Sequence, residues 1–300
     1  MVVLHWGPKE LTTRCLQSLC RDSFSGKRTV FLIDNAGSLD SSIADQLPLD
    51  IEVDRPARNL GFADGSARGI SLAVACGADF ILLLNNDAVV EPGCLENLVM
   101  AAVAAPEAGL LSPQILAMTT PPHPWYLGGR FSLWSGIPVQ SRRRSRIERT
   151  DSPQGVDYAT GCAMLIRPAV IRSVGSFDPR FFAYCEDLDF SLRARAAGFT
   201  ILVVPRATVG HAPTDSDRLA RSIYYSTRNL LEVIRRHAAW YHWVGIAPNF
   251  LVRWIGFFIG LACLRRRPEF IRALIAGAAD FARGRLGEQR PAPSRRPVAG

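Results

Sequence analysis

The first hundred residues alternate short apolar runs with stretches whose apolar positions recur every three or four residues. The runs at 2–5, 30–33, 51–53 and 80–84 suit strands buried on both faces. Between the first two, Leu11, Cys15, Leu16 and Leu19 form the stripe of a helix that Pro8 opens and that runs to Cys20. A second helix follows the loop Arg58-Asn59-Leu60-Gly61-Phe62 and ends near Gly77, and Pro92 opens a third. This alternation predicts βα units around a largely parallel sheet. From 106 to 160 the pattern loosens. Pro121-Pro122, Gly128-Gly129 and the basic run Arg142-Arg143-Arg144 fit an extended loop with short strands. Regular spacing returns with a strand at 159–166, a helix at 186–197, a strand at 201–204 and a long helix over 217–237.

Residues 243–264 read WVGIAPNFLVRWIGFFIGLACL, interrupted by Pro248, Asn249 and Arg253. A spanning helix needs ~20 mostly apolar residues with few or no charges. An interfacial lie therefore ranks first, a buried packing contact second and a full span third. Arg265-Arg266-Arg267 follows, and then Phe270, Leu274, Ile275 and Phe281 alternate with Arg272, Arg283 and Arg285. That is the pattern of a basic amphipathic helix at an anionic membrane surface. The Pro/Arg-rich tail from Gln289 is expected to be disordered. No internal repeat is visible.

With 48% apolar and 21% charged residues among 300, the chain can bury a sizeable core, which excludes wholesale disorder. The net charge of +8 is unevenly spread. Residues 1–220 carry 21 Lys+Arg against 23 Asp+Glu, whereas residues 221–300 carry 14 against 4. A near-neutral body with a basic appendage points to one local partner and away from nucleic acid. The seven cysteines form no CxxC pair and no zinc-ligand spacing, and they read as reduced thiols of a cytoplasmic protein. The opening run MVVLHW lacks a basic n-region and a small-residue cleavage site, so no signal peptide is expected.

Four places could carry chemistry. In LLLNNDAVV at 82–90, a buried strand delivers Asp87 to its C-terminal end, where open α/β sheets bind ligands. A lone carboxylate there can hold Mg²⁺ or Mn²⁺ whose shell a substrate diphosphate completes, or it can cap the helix that Pro92 opens. In FFAYCEDLDFSLRARAAGF at 181–199, Glu186, Asp187 and Asp189 precede a helix. Acids favour a helix N-terminus through its dipole, yet in this aromatic setting the cluster is costly unless it is used. Asp34 ends the second strand and could bind a base or ribose, or close an Asx-turn. His211 lies just past another strand and is either structural or drawn to a site.

Taken in order, strand-Asp34-Asn35, RNLGF, LLLNND, GG, GCAMLIR, the long ED-containing segment and His211 resemble the inverting GT-A glycosyltransferases of family 2. The similarity is greatest to their bacterial rhamnosyltransferase-like branch. The resemblance covers roughly residues 1–236, with the ED segment its most specific part. It implies an α/β fold: a Rossmann-like nucleotide-sugar-binding mixed sheet flanked by helices, with a C-terminal amphipathic and apolar helical appendage. The donor-binding half would be 1–105 and the acceptor and catalytic half 106–236. Membrane-associating or packing helices would follow at 237–288, and the tail at 289–300.

Carried onto this sequence, the resemblance gives a donor-binding set of Asp34, Asn59, Asp64, Asn86 and Asp87. Asp87 and His211 would hold the Mg²⁺ or Mn²⁺, Asp187 in the Glu186-Asp187 pair would be the catalytic base, and Gly161, Cys162 and Tyr184 would border the sugar and acceptor. It further implies a dTDP-rhamnose or UDP-sugar donor, a glycan or polyprenyl-linked acceptor in cell-envelope polysaccharide synthesis, and a place on the cytoplasmic face of the cell membrane. Departures fall in the donor pocket: His5-Trp6-Gly7 replaces an Asn-containing turn, Asp64-Gly65-Ser66-Ala67 stands where Gly-Gly-Asn-Asn is usual, and Gly37-Ser38-Leu39 stands where Ser-x-Asp is usual. Arg253-Trp254 lacks the Gln of the Gln-x-x-Arg-Trp element that processive synthases carry. A sugar-1-phosphate nucleotidyltransferase would need a Gly-rich basic loop where HWGPKEL stands. A non-catalytic, membrane-peripheral adaptor on the same fold is the remaining alternative.

Overall fold

The computed structural model describes residues 1–141, 151–212 and 216–289; the basic run at 142–144 and the tail beyond 289 lie outside them. In chain order the elements are β1 (Val2–His5), α1 (Lys9–Arg21), β2 (Thr29–Asp34), β3 (Asp50–Asp54), α2 (Gly61–Ala75), β4 (Ile81–Asn85), β5 (Ala88–Val90) and α3 (Cys94–Ala104). Then come β6 (Ala108–Ala117), β7 (His123–Tyr126), β8 (Gly129–Arg130), β9 (Val139–Gln140), β10 (Gln154–Gly155), β11 (Ala163–Ile166), α4 (Pro168–Val174), α5 (Glu186–Ala196) and β12 (Thr200–His211). The helices α6 (Ser216–His237), α7 (Trp243–Asn249), α8 (Gly256–Arg265) and α9 (Glu269–Ala282) complete the chain.

One mixed sheet runs in spatial order β10-β12-β6-β11-β4-β1-β2-β3, with β5 beside β12 and β7 beside β6. The half from β4 to β3 is parallel, as the alternating pattern predicts. β11 joins it antiparallel to both β4 and β6, and it makes the sheet mixed. Side chains of β1, β2 and β4 are almost wholly buried because helices cover both faces. Helix α2 lies unusually close to β1. A Cβ added at Gly65 would meet Leu4 Cδ1 at 2.6 Å, and one at Gly69 would meet Val2 Cγ1 at 2.4 Å. The unusual sequence after RNLGF is thus a packing surface, and larger side chains there would push helix from sheet.

The 106–160 region departs from the loop expected of it. Its ten-residue β6 lies in the middle of the sheet, with eight of its positions buried. Pro113 disguises this strand, since proline cannot donate to a ladder and is usual only at edges and bulges. The partner strand supplies the bulge: β12 pairs Val204 with Pro113 and Thr208 with Gln114, skipping residues between. For the same reason β12 continues to His211 where 201–204 was expected. The strand expected at 159–166 is shorter, Ala163–Ile166. Helix α3 starts at Cys94, two residues after Pro92, behind Gly93. Its Leu95 N–H is met by Asp22 Oδ2 at 3.4 Å, so Asp87 does not cap it.

From Trp240 to Arg265 the chain stays helical for 26 residues, with a π-helical turn at Phe250–Ile255 between α7 and α8. It is long and apolar enough to cross a membrane, and only 11% of its most apolar window is buried, so it is not a core helix. Helix α9 folds back along α6, where Phe270 and Leu274 pack with Ile223 and Ala262. Tyr224 donates to Asp280 at 2.7 Å.

A buried ionic cluster fastens the end of α6 to α5 and to Asp178 before it. Arg236 reaches Glu232 at 2.7 Å, Asp178 at 2.8 Å and Asp189 at 3.5 Å, while Arg193 and His237 also reach Asp189. Burial would raise the Asp178 carboxyl, but bonds from Arg180 and then Arg236 overcome it and draw the group down to about 2. Asp189 is lowered too, chiefly by His237 and Arg193 acting against burial. Both groups are depressed on folding, so their stabilisation is complete above the ordinary carboxylate range near 4 and is lost as pH falls towards about 2. Chemical denaturation between roughly pH 5 and pH 2 should show stability falling with acid, and Asp178→Asn should flatten that fall. An unchanged slope in the variant would take Asp178 out of the acid response.

Candidate active site

The parallel register brings His5 opposite Asp34 and Leu4 opposite Asn85, so β1, β2 and β4 end along one edge. At the same edge the antiparallel pairing of β5 with β12 sets His211 against Ala88, and Ala212 N–H donates to the Asp87 carbonyl at 3.0 Å. The side chains consequently meet: His211 Nε2 is 3.3 Å from Asp87 Oδ1. The Trp125 ring lies 4.7 Å from the imidazole. Burial opposes protonation of His211, but the Cys162 sulfur and the Asp87 carboxylate outweigh it and raise the imidazole to about 10. No group of three or more His, Cys, Asp or Glu side chains with metal-holding geometry occurs among the described residues. What converges is one carboxylate and one imidazole.

Asp187 faces this pair from the first turn of α5. Its Oδ2 accepts from Gly161 N–H at 2.9 Å and its Oδ1 from Leu188 N–H at 2.8 Å, which fixes the carboxylate plane. Burial pushes its carboxyl above the ordinary range, and those N–H bonds restrain the rise. Glu186 is pushed well above its ordinary value, first by burial and then by the neighbouring Asp187 charge. It is only 4% exposed, and its Oε2 has no hydrogen-bond partner among the described residues. A cavity of about 430 Å³ joins Asp87, His211, Gly161, Cys162, Glu186 and Asp187. Tyr184 and Trp254 also border it.

A second cavity of about 210 Å³ adjoins the first, sharing Asn85, Asp87 and Tyr184 with it and extending past Asn59, Asn86 and Trp6 to Arg221 and Tyr225. Asn59 Oδ1 accepts from Asn35 Nδ2 at 2.8 Å and from Gly61 N–H at 2.8 Å, which locks the loop entering α2. Asn86 Nδ2 donates to Thr12 Oγ1 at 2.9 Å and to the Trp6 carbonyl at 3.2 Å. Asp34 and Asp64 border neither cavity. Asp34 is fully buried and accepts from Ser38 N–H at 3.2 Å and Leu39 N–H at 3.1 Å, four and five residues on rather than the two of an Asx-turn, with Arg55 at 3.6 Å. Asp64 sits half-buried in the first turn of α2. A wider groove of about 860 Å³ near Arg180, Arg235 and Phe281 lies apart from these groups. Its arginines are already paired with Asp178 and Glu232.

A family profile described as Glycosyltransferase like family 2 matches residues 1–242. The chain belongs to this family. Among curated proteins this family 2 glycosyltransferase is similar to the N-acetylglucosaminyl-diphospho-decaprenol L-rhamnosyltransferase of Mycobacterium tuberculosis, at 28% identity over 268 residues, covering 80% of this chain and 85% of that protein. It also resembles the pre-mycofactocin glycosyltransferase of M. tuberculosis, at 28% identity over 76% of this chain but only 46% of the relative. Among solved structures, GalNAc-T7 with UDP, GalNAc and Mn²⁺ superimposes with a TM-score of 0.63 at 17% identity, covering 78% of this chain. The chain spans about half the length of that structure, 47%. S. aureus TarS 1-349 superimposes with a TM-score of 0.58 at 16% identity, covering 95% of this chain and 80% of that one. These structural likenesses establish the GT-A fold.

Reading the sequence alone passed over Asn85, Trp125, Arg221 and Trp254, all of which line the two cavities. Asn85 stands two residues before Asp87 in the same motif, and its buried Oδ1 has no hydrogen-bond partner among the described residues. Arg221 and Tyr225 are four apart on α6, and that helical spacing was the available signal. Trp254 stands in the Arg253-Trp254 pair already noted, and nothing in the sequence pattern marks Trp125.

Proposed function

We propose that this family 2 enzyme is an inverting glycosyltransferase that moves a sugar, rhamnose first among the possibilities, from a dTDP- or UDP-linked donor to a hydroxyl of a glycan or polyprenyl-linked acceptor. The reaction would serve cell-envelope polysaccharide synthesis on the cytoplasmic face of the membrane. The observation that carries this reading is the convergence of Asp87, His211 and an oriented, half-buried Asp187 on one cavity that adjoins a second. The smaller cavity, at the carboxyl ends of β1 and β4, suits the donor. The larger, with Asp187, suits the transferred sugar and the acceptor. The relative that acts on a decaprenol-linked diphosphosugar supports the acceptor class.

The chain's own groups divide the work. Asp187, held by two N–H groups, accepts the proton of the acceptor hydroxyl while that oxygen bonds to the anomeric carbon and the bond to the diphosphate oxygen breaks. Its raised proton affinity brings the base nearer to working pH. Burial, and then the Asp187 charge, raise the proton affinity of Glu186 well above the ordinary range, which sets its environment apart from that of Asp187 with its two N–H donors. One base and one displacement invert configuration without a covalent intermediate. Asp87 and His211 would hold a divalent cation between them, the ion displacing the imidazole proton, and an imidazole ligand would favour Mn²⁺ over Mg²⁺. When bound, such a cation neutralises charge developing on the leaving diphosphate. Exposed Arg221 borders the donor cavity as a further cation for the diphosphate.

The apolar outer face of the Trp240–Arg265 helix supports membrane association. Val244, Leu251, Val252, Phe257 and Leu264 are each at least 60% exposed, and Arg265 and Arg266 stand exposed at its end. An anionic bilayer satisfies both features at once, since each basic residue near it contributes about 1 kcal/mol and apolar side chains add insertion. Its inner side packs on the catalytic body through Ile246 and through Trp254, whose Nε1–H donates to Thr227 Oγ1 at 3.1 Å. An in-plane lie therefore ranks above a full span.

Asp187→Asn should lower turnover by roughly 10²-fold or more while donor affinity stays nearly constant, because the isosteric amide cannot take the proton. Turnover within tenfold of wild type would remove Asp187 from the base role. Asp87→Ala should weaken donor binding and make what remains insensitive to Mn²⁺. If EDTA weakens donor binding by this variant as much as by wild type, the cation sits elsewhere. Full-length protein should float with anionic liposomes at low salt and lose much of that at high salt, whereas a protein ending at His237 should not float. Equal flotation of the two, or none by either, would end the membrane assignment and leave the catalytic one intact.

A further inference from the structure

Residues 181–185 carry the chain into α5 through backbone that side chains with a Cβ rarely adopt. Phe182 has φ 64° and ψ −59°, and Ala183 N–H donates to the Phe181 carbonyl at 2.8 Å. This is a γ-turn of the rare, positive-φ kind, strained for any residue but glycine. Tyr184 and Cys185 follow at φ 68° and 66°. Such strain persists only where the surroundings over-determine the conformation, and it concentrates at functional sites.

The surroundings here are three side chains on one face of α6. Tyr225 stacks against Phe182 at 5.4 Å and against Tyr184 at 6.5 Å. The Asn229 Nδ2 group reaches the Phe181, Ala183 and Tyr184 carbonyls at 2.9, 2.7 and 2.7 Å, so two hydrogens serve three acceptors. Its Oδ1 accepts from Arg228 Nε at 2.8 Å, which fixes the end of the amide that faces the loop. Arg228 is 1% exposed and donates to the Phe181 carbonyl at 2.9 Å and the Gly287 carbonyl at 2.7 Å. Behind the loop, Ala63 N–H of α2 donates to the Phe182 carbonyl at 3.0 Å.

This loop is also the wall between the two cavities. Phe182 borders the smaller one, Ala183 and Tyr184 border both, and Cys185 leads along the larger one to Glu186 and Asp187. A shift of the loop moves the catalytic carboxylate relative to the donor. We propose that Arg228 and Asn229 are positioning residues for sugar transfer: they hold a strained loop that sets Asp187 against the donor, and they act through it without touching substrate. The proposal rests on the transferase reading for its catalytic half, while the restraint of the loop stands on geometry alone.

The test compares wild type with Asn229→Ala, the same-sized Asn229→Asp, and Asn229→Ala combined with Cys185→Gly. Donors are dTDP-rhamnose and UDP-N-acetylglucosamine with Mn²⁺. Loop restraint is read separately, as the rate of iodoacetamide labelling of each cysteine by peptide mass spectrometry. Asn229→Ala should lower kcat roughly 10- to 100-fold with donor KM within about threefold, as expected for a misplaced base. Asn229→Asp, which turns acceptors towards three carbonyls, should be worse. Cys185 labelling in Asn229→Ala should rise by roughly tenfold while buried Cys15 and Cys94 stay protected. Glycine adopts positive φ freely, so Cys185→Gly should restore part of the lost turnover.

Unchanged Cys185 labelling and turnover in Asn229→Ala would overturn the proposal. Parallel loss of protection at Cys15 and Cys94, or no rescue by Cys185→Gly, would do so too, by showing a merely structural role. Wild-type protein that turns over neither donor, with the labelling contrast intact, would overturn the transferase reading and leave only the restraint of the loop.

Discussion

The meeting of Asp87 with His211 at the sheet edge depends on the short antiparallel pairing of β5 with the last residues of β12. β4 alone delivers one carboxylate to the end of a buried strand. Pairing β5 with β12 brings an imidazole from more than a hundred residues away to within 3.3 Å of it. Strand side chains alternate between faces, so a one-residue slip would turn His211 to the other face of the sheet. The bulge in β12 opposite Pro113 resets that register just before the paired residues. A proline in the middle of the sheet thus bears on the geometry of a site formed several residues beyond it.

The same proline explains what the sequence conceals. In the first 105 residues hydrophobic period and turn residues agree, and the strands and helices they predict lie within a few residues of those observed. Beyond 106 they conflict. Ser112-Pro113 and Pro205-Arg206 look like breaks, yet each lies within a long strand because the other strand accommodates it. The site is legible to a similar degree. Asp87, Asp187 and His211 stand in local motifs, and the fold brings them together. Asp34 stands in one too, but its carboxylate is engaged by two backbone N–H groups, a preference that the residues after it decide. Trp254 and Arg221 reach the cavities only through the placement of late helices, which no local pattern encodes.

Those late helices overturn a simple rule about interruptions. Pro248 removes a donor from the helix, and Asn249 follows. The Asn249 side chain adds a bond to the Gly245 carbonyl at 2.9 Å, and the chain continues through one wider turn instead of stopping. That turn carries Trp254 to Thr227 and to the cavity wall. Residues that weaken the segment as a membrane span are therefore the ones that let it lie against the α/β body with its apolar side outward.

Three carboxyl groups around one cavity would repel one another if all were charged alike, and the structure gives each a different environment. Asp87 is matched by the imidazole of His211. Glu186 is buried with its Oε2 lacking a hydrogen-bond partner among the described residues, and its own backbone N–H offsets burial only in part, so its proton affinity rises well above that of an ordinary carboxyl. Asp187 has two backbone N–H donors, enough to keep an anion accessible while burial raises its appetite for a proton. Pairs of acids whose surroundings push their proton affinities apart are how one site assigns distinct roles to similar groups. The donors that make this difference for Asp187 are the amides of Gly161, at the entry to β11, and Leu188, in α5. The proton affinity of Asp187 therefore depends on how α5 is seated against the sheet, and α5 is entered through the strained turn that Asn229 and Arg228 hold.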